Sequence, residues 1–393
     1  MESLKPATGL TDWKSEQTDS EKIKVVVVDD SAVARGIWVR ALGRSPSIQV
    51  VTSFHDGKSF LEWLKMTGLE KVDVVLMDIE MPGMSGLDVL PQALQLFPKL
   101  KVIIASAHSP AGSANAVKAL TLGAADFVSK PSSLSPGGAL DQVEKELVGK
   151  VMQYRPVAKS PTRLETLPKL RVEGGAPFVR TPSVARSGSS SSDIQVLVIG
   201  CSTGGPQALL QFFTLLPKPF PVPILVVQHM PPNFTTLLAT SIRETTGHDC
   251  REARPGDEVI SGRVLLAPGD YHMVIQKNAE AKGLRVELNQ NAPENWCRPA
   301  VDPLFRSAAE CFGSQIMALV LTGMGEDGKR GCEHIHAKGG AIYVQDEASS
   351  VVWGMPGAVA KAGLSRENLP IPDLVSRVTQ FFQKRPSAPL ISK

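Results

Sequence analysis

The chain has 393 residues, 42% of them hydrophobic and 21% charged, and 42 basic against 39 acidic side chains leave a formal net charge of +3. That length exceeds one ordinary core, so two domains are expected, and so slight a basic excess gives no footing for nucleic-acid binding. Five cysteines without CxxC spacing argue against a disulfide framework or a zinc site, and no apolar run reaches the length of a bilayer span, so a cytoplasmic monomer without membrane insertion is expected.

Residues 1–21 are polar and carry acids, which reads as a short disordered leader and neither a signal peptide nor an anchor. From Ile23 the pattern becomes regular: KVVVVDD, IQVVTSF, VDVVLMDIE, KVIIASA and ADFVSKP are five short apolar strands, each separated by enough chain for a helix. That is the signature of a parallel α/β sheet, and the helical spacing of ALDQVEKELVGKVMQ closes the unit near Tyr154, giving a first domain over 22–154. Residues 155–193 are rich in Pro, Ser and Gly, with seven Lys or Arg against two Glu and one Asp, and read as a flexible basic linker. Strand patterns resume with QVLVIG and continue through VPILVVQHM, GRVLLAPGD, RVELNQ, IMALVLTG and GAIYVQDE. A second, doubly wound, mainly parallel α/β domain over 194–385 is therefore expected.

In a parallel α/β sheet, ligands bind beyond the carboxyl ends of the strands. Four of the first five strands finish on a candidate polar group: Asp29 and Asp30, Asp78, Ser106 and Lys130. Three carboxylates converging there would repel one another unless a cation neutralised them, and oxygen ligands of this kind suit Mg²⁺. A lysine opposite would stabilise a phosphoryl group, with a serine hydroxyl as donor. Taken singly, each acid could equally be a solvated strand end. Together VVVDDS, LMDIEMPGMSG, IIASA and DFVSKP resemble the receiver domain of two-component response regulators. The resemblance implies that Asp78 accepts phosphate from a histidine kinase and that Asp29, Asp30 and Asp78 hold Mg²⁺. It also implies that Lys130 and Ser106 contact the phosphoryl group and that Phe127 is the aromatic switch position. Ser85 departs from the aspartate more usual at its place in the loop.

In the second domain, VLVIGCSTGGPQALL puts G-x-S-x-G between a strand and a helix. That context fits a nucleophile elbow at Ser202, and a glycine loop that cradles phosphate is the competing reading. A serine nucleophile needs a base and the base an orienting acid; His229 ends the strand PILVVQHM and Asp327 lies in the loop after ALVLTG. His272 is another candidate base, and Asp302 and Asp346 other acids. His334 and His336 stand two apart on an expected helix and so point to different sides, which disfavours a metal. GMGEDG spells G-x-G-x-x-G after a strand, with Asp346 further on, a dinucleotide pattern that too little following chain supports.

IGCSTGGPQAL, VVQHMPPNFT, LLAPGDYHM, RPAVDPLF, VLTGMGEDG and YVQDEASSVVWGMPGAV resemble the catalytic domain of the CheB methylesterases. The resemblance implies a phosphorylation-activated protein-glutamate methylesterase acting on methyl-accepting chemoreceptors, with glutamine deamidation beside it and no cofactor for the ester reaction. It makes Ser202 the nucleophile, His229 the base and Asp327 its orienter, with the Thr203 and Met324 amides in the oxyanion site. Cys201 and Glu326 depart from the alanine and asparagine usual in the family, and a charge at Glu326 could raise a neighbouring carboxyl pKa. A phosphorylation-controlled adaptor with an inactive esterase domain is the alternative; a transcription factor is disfavoured, since no helix-turn-helix pattern or basic face follows the linker.

Overall fold

The computed structural model describes residues 22–107, 109–130, 146–154, 194–277 and 283–383. The expected leader and linker lie outside the described residues. In the first half β1 (Ile23–Val28), α1 (Ala32–Gly43), β2 (Ile48–Phe54), α2 (Gly57–Thr67), β3 (Val74–Asp78), α3 (Gly86–Leu96), β4 (Lys101–Ser106), α4 (Pro110–Thr121) and β5 (Asp126–Ser129) alternate as expected. The helical residues 146–152 are the described part of α5. The strands pair in parallel in the order β2-β1-β3-β4-β5.

The valine run of β1 is buried on both faces. Val25 and Val27 meet Trp38 of α1 and Leu147 and Val151 of α5, whereas Val26 and Val28 meet Phe60, Leu64 and Val89. A strand covered on both sides reads as a continuous apolar run rather than an alternation. Helices α1 to α4 each start on a side-chain cap, from Ser31, Asp56, Ser85 and Ser109. At Ser85 the cap is a full capping box with Asp88, so the serine at this position has a local task as helix start.

The second half runs β6 (Val196–Cys201), α6 (Gly205–Leu215), β7 (Ile224–Gln228), α7 (Phe234–Thr246), β8 (Asp249–Glu252), β9 (Arg263–Leu266), β10 (His272–Lys277), β11 (Leu284–Asn289) and α8 (Val301–Phe312). It ends with β12 (Ile316–Val320), α9 (Lys329–Ala337), β13 (Ala341–Gln345), α10 (Met355–Lys361), β14 (Glu367–Leu369) and α11 (Ile371–Gln383). Seven strands pair in parallel in the order β14-β13-β12-β6-β7-β9-β8. RVELNQ does not join this sheet: as β11 it pairs antiparallel with β10, and Met273, Ile275 and Val286 of this hairpin pack with Phe305 and Ala308 of α8. The order reverses at β6, whose neighbours are β12 and β7, so a crevice opens at the carboxyl ends of these strands.

The two halves are packed together. Helix α4 lies against α6 and α7, and Phe127 of β5 stacks on Phe234 at the start of α7, with ring centroids 4.5 Å apart and planes 13° apart.

Candidate functional site

At the carboxyl edge of the first sheet, Asp29, Asp30 and Asp78 each offer an oxygen within 4.8 Å of the others. Asp29 and Asp78 are buried. Asp29 accepts hydrogen bonds from the Ser31 amide (2.9 Å) and Trp38 Nε1 (3.2 Å). Asp78 Oδ2 is ion-paired to Lys130 at 2.6 Å and has no other polar partner among the described residues. Burial pushes the Asp78 carboxyl up to about 6 and raises Asp29 too, in spite of Lys130. One lysine therefore does not balance the two buried acids, and a hard dication among three carboxylates fits this donor set. Ser106 Oγ donates to the Gly112 carbonyl at 2.8 Å, so its hydroxyl is engaged away from Asp78.

In the second sheet, β6, β7 and β12 lie side by side and end on Ser202, His229 and the loop carrying Asp327. After β6 the chain turns through Gly204, whose φ of 76° is left-handed, and α6 starts at once. At Gly205 a Cβ would sit 1.9 Å from Gln228 Oε1, so only glycine lets the turn after Ser202 and the end of β7 come this close. Gln228 Nε2 exploits that proximity by donating to the carbonyls of Ser202 (2.9 Å) and His229 (3.3 Å).

Asp327 is buried, and its local chemistry is unusual. Helix α8 has no capping side chain of its own at Ala300; Asp327 caps it from the β12 loop, accepting from the amides of Val301 (2.6 Å) and Asp302 (3.1 Å). The Gly328 amide (2.9 Å) and Asn295 Nδ2 (2.9 Å) add two further donors, and His229 Nε2 approaches at 2.7 Å. A carboxylate at a helix N-terminus is favoured by the free amides and the helix dipole. Burial works against the charge, yet His229 and the backbone donors hold the Asp327 carboxyl below its usual range. Burial likewise opposes charge on His229, but its hydrogen bonds to Asp327 and Cys297 outweigh it and raise the imidazole to about 10.

Because Asp327 takes Nε2, Nδ1 is the nitrogen left for proton transfer. It faces Cys297 Sγ at 3.4 Å, and among the described residues no hydrogen bond joins Ser202 to His229. Ser202, Thr203, His229, Cys297 and Met324 line one cavity of about 480 Å³ whose other wall is the first domain, at Ala125, Asp126, Phe127 and Lys150. Two hydrogen bonds fasten that wall beside the serine: Thr203 Oγ1 donates to Asp126 Oδ2 (2.9 Å) and the Gly204 amide to the Ala125 carbonyl (3.1 Å). The Thr203 and Met324 amides donate to no other described group and stay available.

The rival residues have other tasks. His272 is buried, accepts from the Ala300 amide at Nδ1 (3.2 Å) and lies 3.2 Å from the Ala292 carbonyl at Nε2, so it braces the loop before α8. Asp302 accepts from the Gly331 amide (2.7 Å) and Asn295 (3.0 Å); burial first, then the charge of Asp327, push its carboxyl up to about 6. Asp346 accepts from Ser349 in its own turn, and His334 bonds the Arg330 carbonyl one turn back on α9. Glu326 is exposed and paired with Lys329 at 3.4 Å, and the Asp327 carboxyl beside it is lowered, so the expected upward push at that neighbour is not found. Cys201 is buried with its thiol toward the Val227 carbonyl, where burial pushes its pKa up. Gln228, Asn295, Cys297 and Asp126 were not anticipated; the uncapped start of α8 is the one sequence signal that could have led to the Asp327 arrangement.

The CheB methylesterase family model matches residues 197–378 and the response regulator receiver domain model residues 25–136. Protein-glutamate methylesterase/protein-glutamine glutaminase 1 of Paramagnetospirillum magneticum is 42% identical, covering 95% of this chain and 99% of its own. The Azospirillum brasilense protein-glutamate methylesterase/protein-glutamine glutaminase is 41% identical, covering 93% and 94%. The solved CheB methylesterase catalytic domain of Thermotoga maritima is 38% identical and covers 48% of this chain and 98% of its own, with a TM-score of 0.46.

Proposed function

Since the chain belongs to the protein-glutamate methylesterase/protein-glutamine glutaminase family, a hydrolase domain behind a response regulator receiver domain, we propose that Ser202, His229 and Asp327 hydrolyse glutamate γ-methyl esters of methyl-accepting chemoreceptors under the control of Asp78. The observation that carries this reading is that Ser202 and His229, at the ends of adjacent strands, line one cavity that the first domain walls off, with Asp327 bonded to His229 from the loop after β12.

In its neutral form His229 takes the proton of Ser202 Oγ at Nδ1 as that oxygen attacks the γ-carbonyl, and Asp327 holds the ring through Nε2; with the imidazole raised to about 10 in the closed arrangement, the neutral form grows as pH rises. The amides of Thr203 and Met324 receive the oxyanion. The C–O bond to methoxide then breaks, His229 returns the proton, and methanol leaves. Water, deprotonated by the same imidazole, hydrolyses the acyl-enzyme to free glutamate. An amide in place of the ester releases ammonia by the same steps, which is the glutaminase reaction.

Regulation rests on the wall of the cavity. With Ala125 and Asp126 bonded to the two residues after the nucleophile, a substrate cannot reach Ser202 freely. Asp29, Asp30 and Asp78 would hold Mg²⁺, which supplies positive charge against an incoming phosphoryl group. A phosphoryl group on Asp78, donated by a histidine kinase, draws Lys130 and the Ser106 hydroxyl toward it, and both flank β5. Moving β5 takes Phe127 off Phe234 and Asp126 off Thr203 and frees the edge of the catalytic domain. No helix of the described residues is long and apolar enough to cross a membrane. A serine-directed phosphonate tests the assignment: it should label Ser202 faster once a phosphodonor and Mg²⁺ are added, and labelling elsewhere, or at an unchanged rate, would count against it.

A further inference from the structure

Between β11 and α8 the chain makes a tight turn, Glu294-Asn295-Trp296-Cys297, closed by backbone hydrogen bonds in both directions between its ends (3.2 and 2.9 Å). Asn295 and Trp296 have φ of 50° and 65°. Asparagine tolerates the left-handed region, but for a bulky aromatic residue it is an outlier. Such a conformation persists only when its surroundings over-determine it.

Here they do. The Glu294 carboxylate receives both arms of Arg306 from α8 (2.6 and 2.8 Å). Asn295 Nδ2 donates to Asp302 and to the triad acid Asp327. Cys297 Sγ lies against His229, and Arg298, the next residue, is bonded through Nε and Nη2 to Asp270. Three of the four turn residues are thus fastened to the catalytic frame. Trp296 is the exception: it is fully exposed, with no hydrogen bond or ring contact among the described residues, and it stands at the rim of the Ser202 cavity. Met324, half exposed, lines the same cavity from the β12 loop. A large apolar side chain displayed in water on a strained, braced turn has no account in folding, whereas at interfaces tryptophan is a typical anchor.

We propose that Trp296 is a substrate-docking residue whose indole packs on the receptor polypeptide segment that bears the methyl ester. This rests on the esterase reading, and that reading selects the occupant: with the ester carbonyl in the cavity, the polypeptide carrying it must cross the rim where Trp296 stands. The bracing through Asn295 ties the anchor to Asp327, so docking registers the receptor directly against the catalytic frame. Trp296 is also uncovered while the receiver domain still walls the cavity, so the receptor can be engaged before Ser202 is released.

The test uses the full chain with phosphodonor and Mg²⁺, comparing Trp296→Ala and Trp296→Phe with wild type on methylated receptor membranes and on p-nitrophenyl acetate. Loss of an aromatic hot spot should raise the receptor KM roughly tenfold or more with kcat within about twofold, with a much smaller effect on the small ester and partial rescue by phenylalanine. A receptor KM within about twofold of wild type overturns the proposal, as does an equal loss on both substrates, which would mark a structural role for the turn. Binding to the same membranes, measured in a Ser202→Ala background, separates the two readings. Failure of wild type to release methanol sinks the esterase reading, while the binding ratio with and without Trp296→Ala still decides the docking role.

Discussion

Replacing Asp126 by alanine should switch the enzyme partly on without phosphate. Asp126 Oδ2 accepts a hydrogen bond from the Thr203 hydroxyl at 2.9 Å, across the boundary between the halves, next to Ser202. Its other oxygen is held within the first domain by Lys150 at 2.8 Å, an ion pair that should survive separation and therefore cancel between closed and open arrangements. A hydrogen bond to a charged group contributes about 1.5–3 kcal/mol; some solvent reaches this one, which favours the lower end. At about 1.4 kcal/mol per factor of ten, the closed-to-open equilibrium moves roughly tenfold or more toward open. The Phe127–Phe234 stack and the Gly204–Ala125 hydrogen bond remain, so the domains still dock, less tightly. The assay is the initial rate of methanol release without phosphodonor: the basal rate should rise about tenfold, up to the ceiling of the activated wild type, and activation by phosphodonor should shrink by the same factor. A basal rate within about twofold of wild type, with Asp78 still phosphorylated normally, would refute the covering role given to this contact.

Three further outcomes are expected. NMR titration of His229 in the unphosphorylated protein should give a pKa near 10, falling toward the ordinary imidazole value in Cys297→Ala and further in Asp327→Asn; a wild-type midpoint near 6.5 would contradict the Asp327–His229 geometry. The sign for stability follows: the raised pKa adds stability below about pH 6.5 that is lost as pH rises through 10, so wild type should lose more thermal stability over that window than Asp327→Asn. Iodoacetamide should inactivate the enzyme at Cys297, since a group added 3.4 Å from Nδ1 occupies the space the base needs, and whatever activity Cys297→Ala retains should be insensitive; equal inactivation of both would assign the effect to another thiol. Gly205→Ala should lower kcat on the order of a hundredfold, because its Cβ would meet Gln228 Oε1 at 1.9 Å and displace the amide that ties the Ser202 and His229 carbonyls together; wild-type kcat in this variant would remove Gln228 from the positioning frame.

Much of this was legible because the chemistry sits where the local pattern changes. Apolar runs buried on both faces end abruptly on Asp29, Asp78, Ser202 and His229, and a parallel sheet gathers strand ends on one edge. Three strands escaped: β8, DCRE, at one edge of the sheet and β14, three residues, at the other carry little apolar signal, and β10, HMVIQK, is a short run outside that sheet. β11 was legible as a strand but not as half of a hairpin, since pairing partners are not written in a single run. The least visible features are contacts between distant parts of the chain. Asp126 and Thr203 are 77 residues apart and Asn295 and Asp327 are 32 apart, and nothing in the spacing of either pair announces it. Left-handed backbone at Trp296 is hidden for the same reason, because the braces that hold it come from α8, the β12 loop and Asp270.

The most direct test is methanol release from methylated chemoreceptor membranes by the intact protein, with and without a small-molecule phosphodonor and Mg²⁺, beside Ser202→Ala and Asp78→Asn. Release should require Ser202, rise with the phosphodonor, and lose that rise in Asp78→Asn. Release that survives Ser202→Ala, or none from wild type with Asp78 phosphorylated, would contradict the assignment of Ser202 as the nucleophile of a phosphorylation-controlled methylesterase.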